Sequence, residues 1–180
     1  MYKNGILTMQ EIELKFQIPP DKRESILKAL QRKSVQHTHT QSLYFDNKQF
    51  ELFQHSILLK QNLENEQWLQ ILKIASNQHT ELFEIKELPP SNDHKIQVEH
   101  YQKNKHIPKE VRKLFSDLTD PLRLQFSTDF ERSSTIFNFQ NSQIIVELDR
   151  GLMQVNQDQF EIYELRFKLN RTGFVGESIF

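Results

Sequence analysis

Glu11-Ile12-Glu13-Leu14-Lys15-Phe16 is the stretch on which the reading of this chain turns. Side chains alternate across a β-strand, so Glu11, Glu13 and Lys15 line one face while Ile12, Leu14 and Phe16 line the other. Two readings fit such a strand. Its polar face either meets bulk water, as half-buried strands usually do, or lines an enclosed wet cavity, where carboxylates bind divalent metal and a lysine binds phosphate. The far end of the chain repeats the theme: Glu164, Arg166 and Lys168 share one face, and Tyr163, Leu165, Phe167 and Leu169 the other.

Between these ends the pattern predicts many strands and few helices. Pro19-Pro20-Asp21 predicts a helix start, with Asp21 as its cap and Ile26, Leu27 and Leu30 as its apolar stripe. Alternating segments predict strands over 37–46, 57–61, 67–75 and 79–88, joined as an antiparallel meander by turns at 62–66 and 76–78. Pro89-Pro90-Ser91-Asn92-Asp93 breaks the pattern, and a helix is expected over 109–115 with Val111, Leu114 and Phe115 on one side. Strands resume over 122–130, 134–139, 144–149, 152–155 and 160–169. The class is α+β weighted to β. An antiparallel sheet of this many strands curls, so a closed or nearly closed antiparallel β-barrel of about eight strands is expected, with helices packed outside.

A length of 180 residues suits one domain, and 37% hydrophobic residues with fourteen Phe predict a packed core rather than disorder. The net charge of −1 provides no global field towards nucleic acid or an anionic membrane, so a polyanion would have to be met by a local cluster. Absence of cysteine excludes disulfides, thiolate metal sites and a cysteine nucleophile, and fits a reducing compartment. No apolar run approaches the roughly 18 residues of a membrane helix. The start, Met1 to Leu7, lacks the apolar core of a signal peptide, so the expected location is the cytoplasm. There is no glycine-rich phosphate loop. His37 and His39 share a strand face without a third ligand in view, Ser133-Ser134 has no nearby His–Asp arrangement, and the charged run 103–113 reads as a solvated helix face.

Taken in order, the segments resemble the CYTH family, the triphosphate tunnel metalloenzymes, over roughly residues 9 to 170. Glu11-Ile12-Glu13-Leu14-Lys15 resembles the family's opening E-x-E-x-K, Tyr44-Phe45-Asp46 its Y-F-D/E-T turn, and Trp68-Leu69-Gln70-Ile71-Leu72-Lys73 its W-x-Q-T-L-K strand. Leu148-Asp149-Arg150-Gly151 resembles its L-D-x-G, and Tyr163-Glu164-Leu165 its final E-L-E-L strand. Phe126 to Arg132 is similar to the bacterial inorganic triphosphatase branch that often carries an appended CHAD domain.

The resemblance implies a single domain built as a tunnel for a triphosphate, with residues 1–8 as a short extension; the family's closing helix after the last strand is expected to be missing. It implies metal-dependent hydrolysis of a triphosphate, most simply inorganic tripolyphosphate, by a metal-positioned water with Mg²⁺ or Mn²⁺ as cofactor. Carried over residue by residue, Glu11, Glu13, Asp149 and Glu164 are the metal-ligand candidates. Lys15, Lys73 and Arg132 are the phosphate-binding candidates, Lys15 and Lys73 being also the catalytic ones. Glu84, Lys86, Arg166 and Lys168 are expected as further tunnel-lining residues. The partner is then a small anionic triphosphate or nucleotide, not nucleic acid or membrane, and the protein a monomer or homodimer.

Several tunnel positions depart from the family pattern. The two arginines of L-R-x-R align with Leu59 and Gln61, and R-x-E-x-E reads Leu82-Phe83-Glu84-Ile85-Lys86. An acidic position before Asp149 holds Ile145, with Glu147 on the same face as a substitute, and the last E-x-E-x-E reads Glu164-Leu165-Arg166-Phe167-Lys168. Arg166 is expected within ion-pair reach of Glu11, Glu13 or Glu164, in the space of a metal. The alternative function is therefore a non-catalytic relative that binds a polyphosphate, a nucleotide or a protein partner.

Overall fold

The computed structural model describes residues 12–31, 34–75, 82–89, 94–139 and 142–170. In chain order these form β1 (Ile12–Gln17), α1 (Pro20–Gln31), β2 (Gln36–Asp46), α2 (Glu51–Gln54), β3 (Ile57–Glu64), β4 (Gln67–Ala75), β5 (Leu82–Glu87), α3 (Val98–Lys103), α4 (Lys109–Asp117), β6 (Arg123–Phe139), β7 (Ser142–Val155) and β8 (Asp158–Asn170). The strands make one eight-stranded antiparallel sheet in the order β1-β8-β7-β6-β2-β3-β4-β5. The α+β, antiparallel, eight-stranded expectation is met.

Two pairs of expected strands are each continuous. Segments 122–130 and 134–139 fuse into β6, and 144–149 and 152–155 into β7. Gly151, in the gap between the two expected segments, marks a close approach. A Cβ there would overlap the Asp129 carbonyl oxygen and lie 2.5 Å from the Phe130 Cα. Glycine lets β7 pass β6 at this point without ending either strand. The helix start also differs: Pro20 is the first helical residue, where its missing N–H costs nothing, and Asp21 lies in the first turn against the helix dipole rather than at the cap. The charged run 103–113 is divided by the buried Ile107 between α3 and α4.

The chain forms two compact units. One is built on residues 41–128 and 154–159. Its core gathers Phe45, Leu52, Ile57, Leu59 and Leu72 with Tyr101, Ile107, Val111 and Phe115 of the α3–α4 segment. Tyr101 and Phe115 stack at 4.6 Å, which ties the two short helices together. The turn after β2 is held by Asp46. Its Oδ1 accepts from the backbone N–H groups of Asn47 (2.8 Å) and Leu52 (3.0 Å), and its Oδ2 from Phe53 (3.0 Å). This remote cap serves α2, whose own N-cap residue, Phe50, is left-handed (φ 58°) and offers no side-chain cap.

The other unit is built, among the described residues, on 12–31, 34–40, 129–139, 142–153 and 160–170. Its core packs Leu30, Ile26 and Leu27 of α1 against Ile18, Val146, Leu148 and Tyr163. Val146 and Leu148 point towards α1, so parity sends Glu147 and Asp149 to the opposite face of β7. Tyr163, Leu165 and Phe167 do the same on β8 and send Glu164, Arg166 and Lys168 to that face. The alternation read from sequence is thus what positions the charged groups.

Candidate functional site

In the second unit, four neighbouring strands bring eight charged side chains into one cluster. β1 supplies Glu13 and Lys15, β8 supplies Glu164, Arg166 and Lys168, β7 supplies Glu147 and Asp149, and β6 supplies Arg132. The β1–β8 register places Glu13 opposite Lys168, Lys15 opposite Arg166, and Gln17 opposite Glu164. Lys15 and Arg166 repel as direct partners, so each pairs diagonally. Lys15 Nζ is 2.6 Å from Glu164 Oε2, and Arg166 Nε is 3.4 Å from Glu13 Oε1.

Asp149 is the centre of the cluster and is 1% exposed. Arg132 grips it bidentately, Nε and Nη2 each donating at 2.7 Å, and Arg166 Nη2 donates to Oδ2 at 3.0 Å. Glu147, also buried, lies between Lys168 Nζ (3.3 Å) and Arg132 Nη1 (3.4 Å). Gln17 Nε2 donates to the second oxygen of Glu164 at 2.6 Å. Burial works against the Arg132 charge. The hydrogen bonds and charge of Asp149, with Glu147 and Glu13 behind it, outweigh that, and the guanidinium is held above its ordinary pKa. Arg132 therefore stays charged at any working pH.

The first unit carries separate pairs. Lys73 and Glu84 are cross-strand partners and meet at 2.8 Å; Lys86 meets Glu64 at 2.5 Å. Lys60 lies 5.7 Å from the Tyr44 ring, directly across the β2–β3 ladder. Leu59 and Gln61, the residues read in place of the family's two arginines, do not share the face of Lys73. Leu59 is in the hydrophobic core, and Gln61 is buried on the same face, donating to Gln70 at 3.0 Å. Leu58 is directly opposite Lys73, so Leu58 and Lys60 share the lysine's face. A shift of one residue changes the face, and segment matching alone did not resolve that register.

Glu11 lies outside the described residues. Of the other expected site residues, Glu13, Lys15, Arg132, Asp149, Glu164, Arg166 and Lys168 share the second unit's cluster, while Lys73, Glu84 and Lys86 belong to the first unit. Arg166 is within ion-pair reach of Glu13, as anticipated, but its shorter contact is with Asp149. Gln17 was missed, although its parity with Lys15 on β1 could have found it. His39 pairs with Asp129 at 2.6 Å, and His37 Nδ1 is 3.1 Å from Oγ of the buried Ser133.

The donor set decides whether a hard divalent cation fits. Among the described residues no three His, Asp or Glu groups converge as metal ligands. Both oxygens of Asp149 are taken by guanidinium groups, and both oxygens of Glu164 by Lys15 and Gln17. As arranged, these carboxylates do not make a Mg²⁺ or Mn²⁺ site.

The CYTH domain profile matches residues 9–170. No curated protein matches the sequence at a significant level. By fold, the chain is similar to a candidate adenylate cyclase from Bacillus halodurans at TM-score 0.51 and 13% identity, over 89% of this chain and 82% of that one. It is also similar to a candidate adenylyl cyclase from Hippeastrum, described as having a dominant triphosphatase activity, at TM-score 0.51 and 15% identity, over 88% of this chain and 78% of that one. Matched along nearly all its length and folded as a single antiparallel eight-stranded sheet, this chain belongs to the CYTH family.

Proposed function

We propose that this protein binds a triphosphate, most simply inorganic tripolyphosphate, and hydrolyses it slowly. The observation that carries this reading is the convergence of Lys15, Arg132, Arg166 and Lys168 in one cluster of a CYTH chain. Guanidinium and ammonium groups recognise phosphoryl oxygens through charge-assisted hydrogen bonds of about 1.5–3 kcal/mol each. The same groups offset charge spread over the transferring phosphoryl group as water attacks the terminal phosphorus and the bridging P–O bond breaks. A resident Mg²⁺ or Mn²⁺ would supply further electrostatic stabilisation, but the described carboxylates do not form its cage. Slow turnover is the consequence.

The second reading, binding of a triphosphate or nucleotide without turnover, is favoured by the pairing of every described carboxylate in the cluster with a cation. Phosphate release separates the two. Tripolyphosphate, ATP and thiamine triphosphate are each incubated with protein and Mg²⁺ or Mn²⁺. Release above blank from tripolyphosphate is expected. A folded sample that releases none from any of the three would leave only the binding reading.

A further inference from the structure

We propose that Arg166 and Lys168 are resident cations standing in for a divalent metal, so that the cluster binds a polyphosphate without one. The inference deepens the triphosphate reading and rests on it.

Among the described residues, four carboxylates, Glu13, Glu147, Asp149 and Glu164, face four cations, Lys15, Arg132, Arg166 and Lys168. These eight described groups balance in charge without any added ion, so their carboxylates have no uncompensated charge with which to recruit metal. At its centre two guanidiniums share the single charge of Asp149. That triad is locally cationic. Asp149 is a positioning residue on this account: it orients Arg132 and Arg166 rather than ligating metal.

The guanidiniums keep capacity for a ligand. Each carries five N–H donors, and only three of the combined set go to Asp149. Arg166 Nε is shielded from solvent and makes no hydrogen bond, only its 3.4 Å ion-pair contact with Glu13. A buried donor without a hydrogen bond is a cost that an anionic oxygen would relieve. Lys15 is half exposed, so its pair with Glu164 is weak and yields readily to a stronger anion. Arginine suits the stand-in role because it stays charged when buried and holds an oxyanion in a planar fork.

The wild-type protein is titrated with Mn²⁺ alone, followed by electron paramagnetic resonance, and with tripolyphosphate by calorimetry in EDTA and in Mg²⁺. No stoichiometric Mn²⁺ uptake is expected, together with tripolyphosphate affinities that agree within threefold in the two buffers. R166E, checked for folding by its thermal melt, should bind Mn²⁺ at least tenfold more tightly than the parent. K168E is the second variant if R166E does not fold. Stoichiometric Mn²⁺ uptake by the wild type, or a tenfold loss of tripolyphosphate affinity in EDTA, overturns this inference and leaves the triphosphate reading standing. No tripolyphosphate binding in either buffer defeats both.

Discussion

Asp149→Asn is expected to lower the melting temperature by about 10 °C in metal-free buffer, a loss of roughly 3–5 kcal/mol. Asparagine keeps the shape of the side chain but removes the charge that two guanidiniums share. Removing the shared charge leaves two largely buried guanidiniums facing each other, with only the longer 3.4 Å contacts to Glu147 and Glu13. A metal-ligand carboxylate behaves oppositely. In metal-free protein, a carboxylate packed against other carboxylates is repelled, so neutralising it is neutral or stabilising. Differential scanning calorimetry of parent and variant in EDTA reads the sign directly. An unchanged or raised melting temperature would mean that Asp149 is not what holds Arg132 and Arg166.

Asp46→Ala should cost about 3 kcal/mol, seen as a drop of roughly 6–12 °C in melting temperature. The carboxylate is buried and accepts from three backbone N–H groups, of Asn47, Leu52 and Phe53. Alanine orphans all three and uncaps α2, whose Leu52 belongs to the first unit's core. Asp46→Asn retains one acceptor oxygen. It can still serve Asn47 and Leu52 and forfeits only the bond from Phe53, so a loss of about 1 kcal/mol is expected. If both variants melt like the parent, Asp46 is not the clamp that the geometry describes.

Much of this was legible in the chain because strand parity is a period of two, and polar and apolar residues obey it on β1, β7 and β8. Parity alone puts Glu13 with Lys15, and Glu164 with Arg166 and Lys168, on common faces. Pair identity was not legible. Arg166 contacts Asp149 as well as Glu13, which depends on β8 lying between β1 and β7. Strand order is a long-range property that local patterning does not encode. The strand over 57–61 is present as β3, but its facing was not legible for a related reason: Leu58-Leu59-Lys60-Gln61 offers apolar and polar residues on both faces, so nothing local selects the register. Gly151 lies between two segments expected as separate strands, and instead relieves contact with the β6 backbone. α3 escaped notice because a six-residue helix shows too few turns for its period to stand out.

The most direct test of the central claim, that the Arg132–Asp149–Arg166 group is where a triphosphate is held, is calorimetric titration of tripolyphosphate into the wild type and Arg132→Lys. Lysine keeps the charge but loses the planar fork, and with it charge-assisted hydrogen bonds of about 1.5–3 kcal/mol. The account predicts one binding site in the wild type and at least a tenfold weaker affinity in the folded variant. Equal affinity in the two proteins, or no binding heat with the wild type, would contradict it.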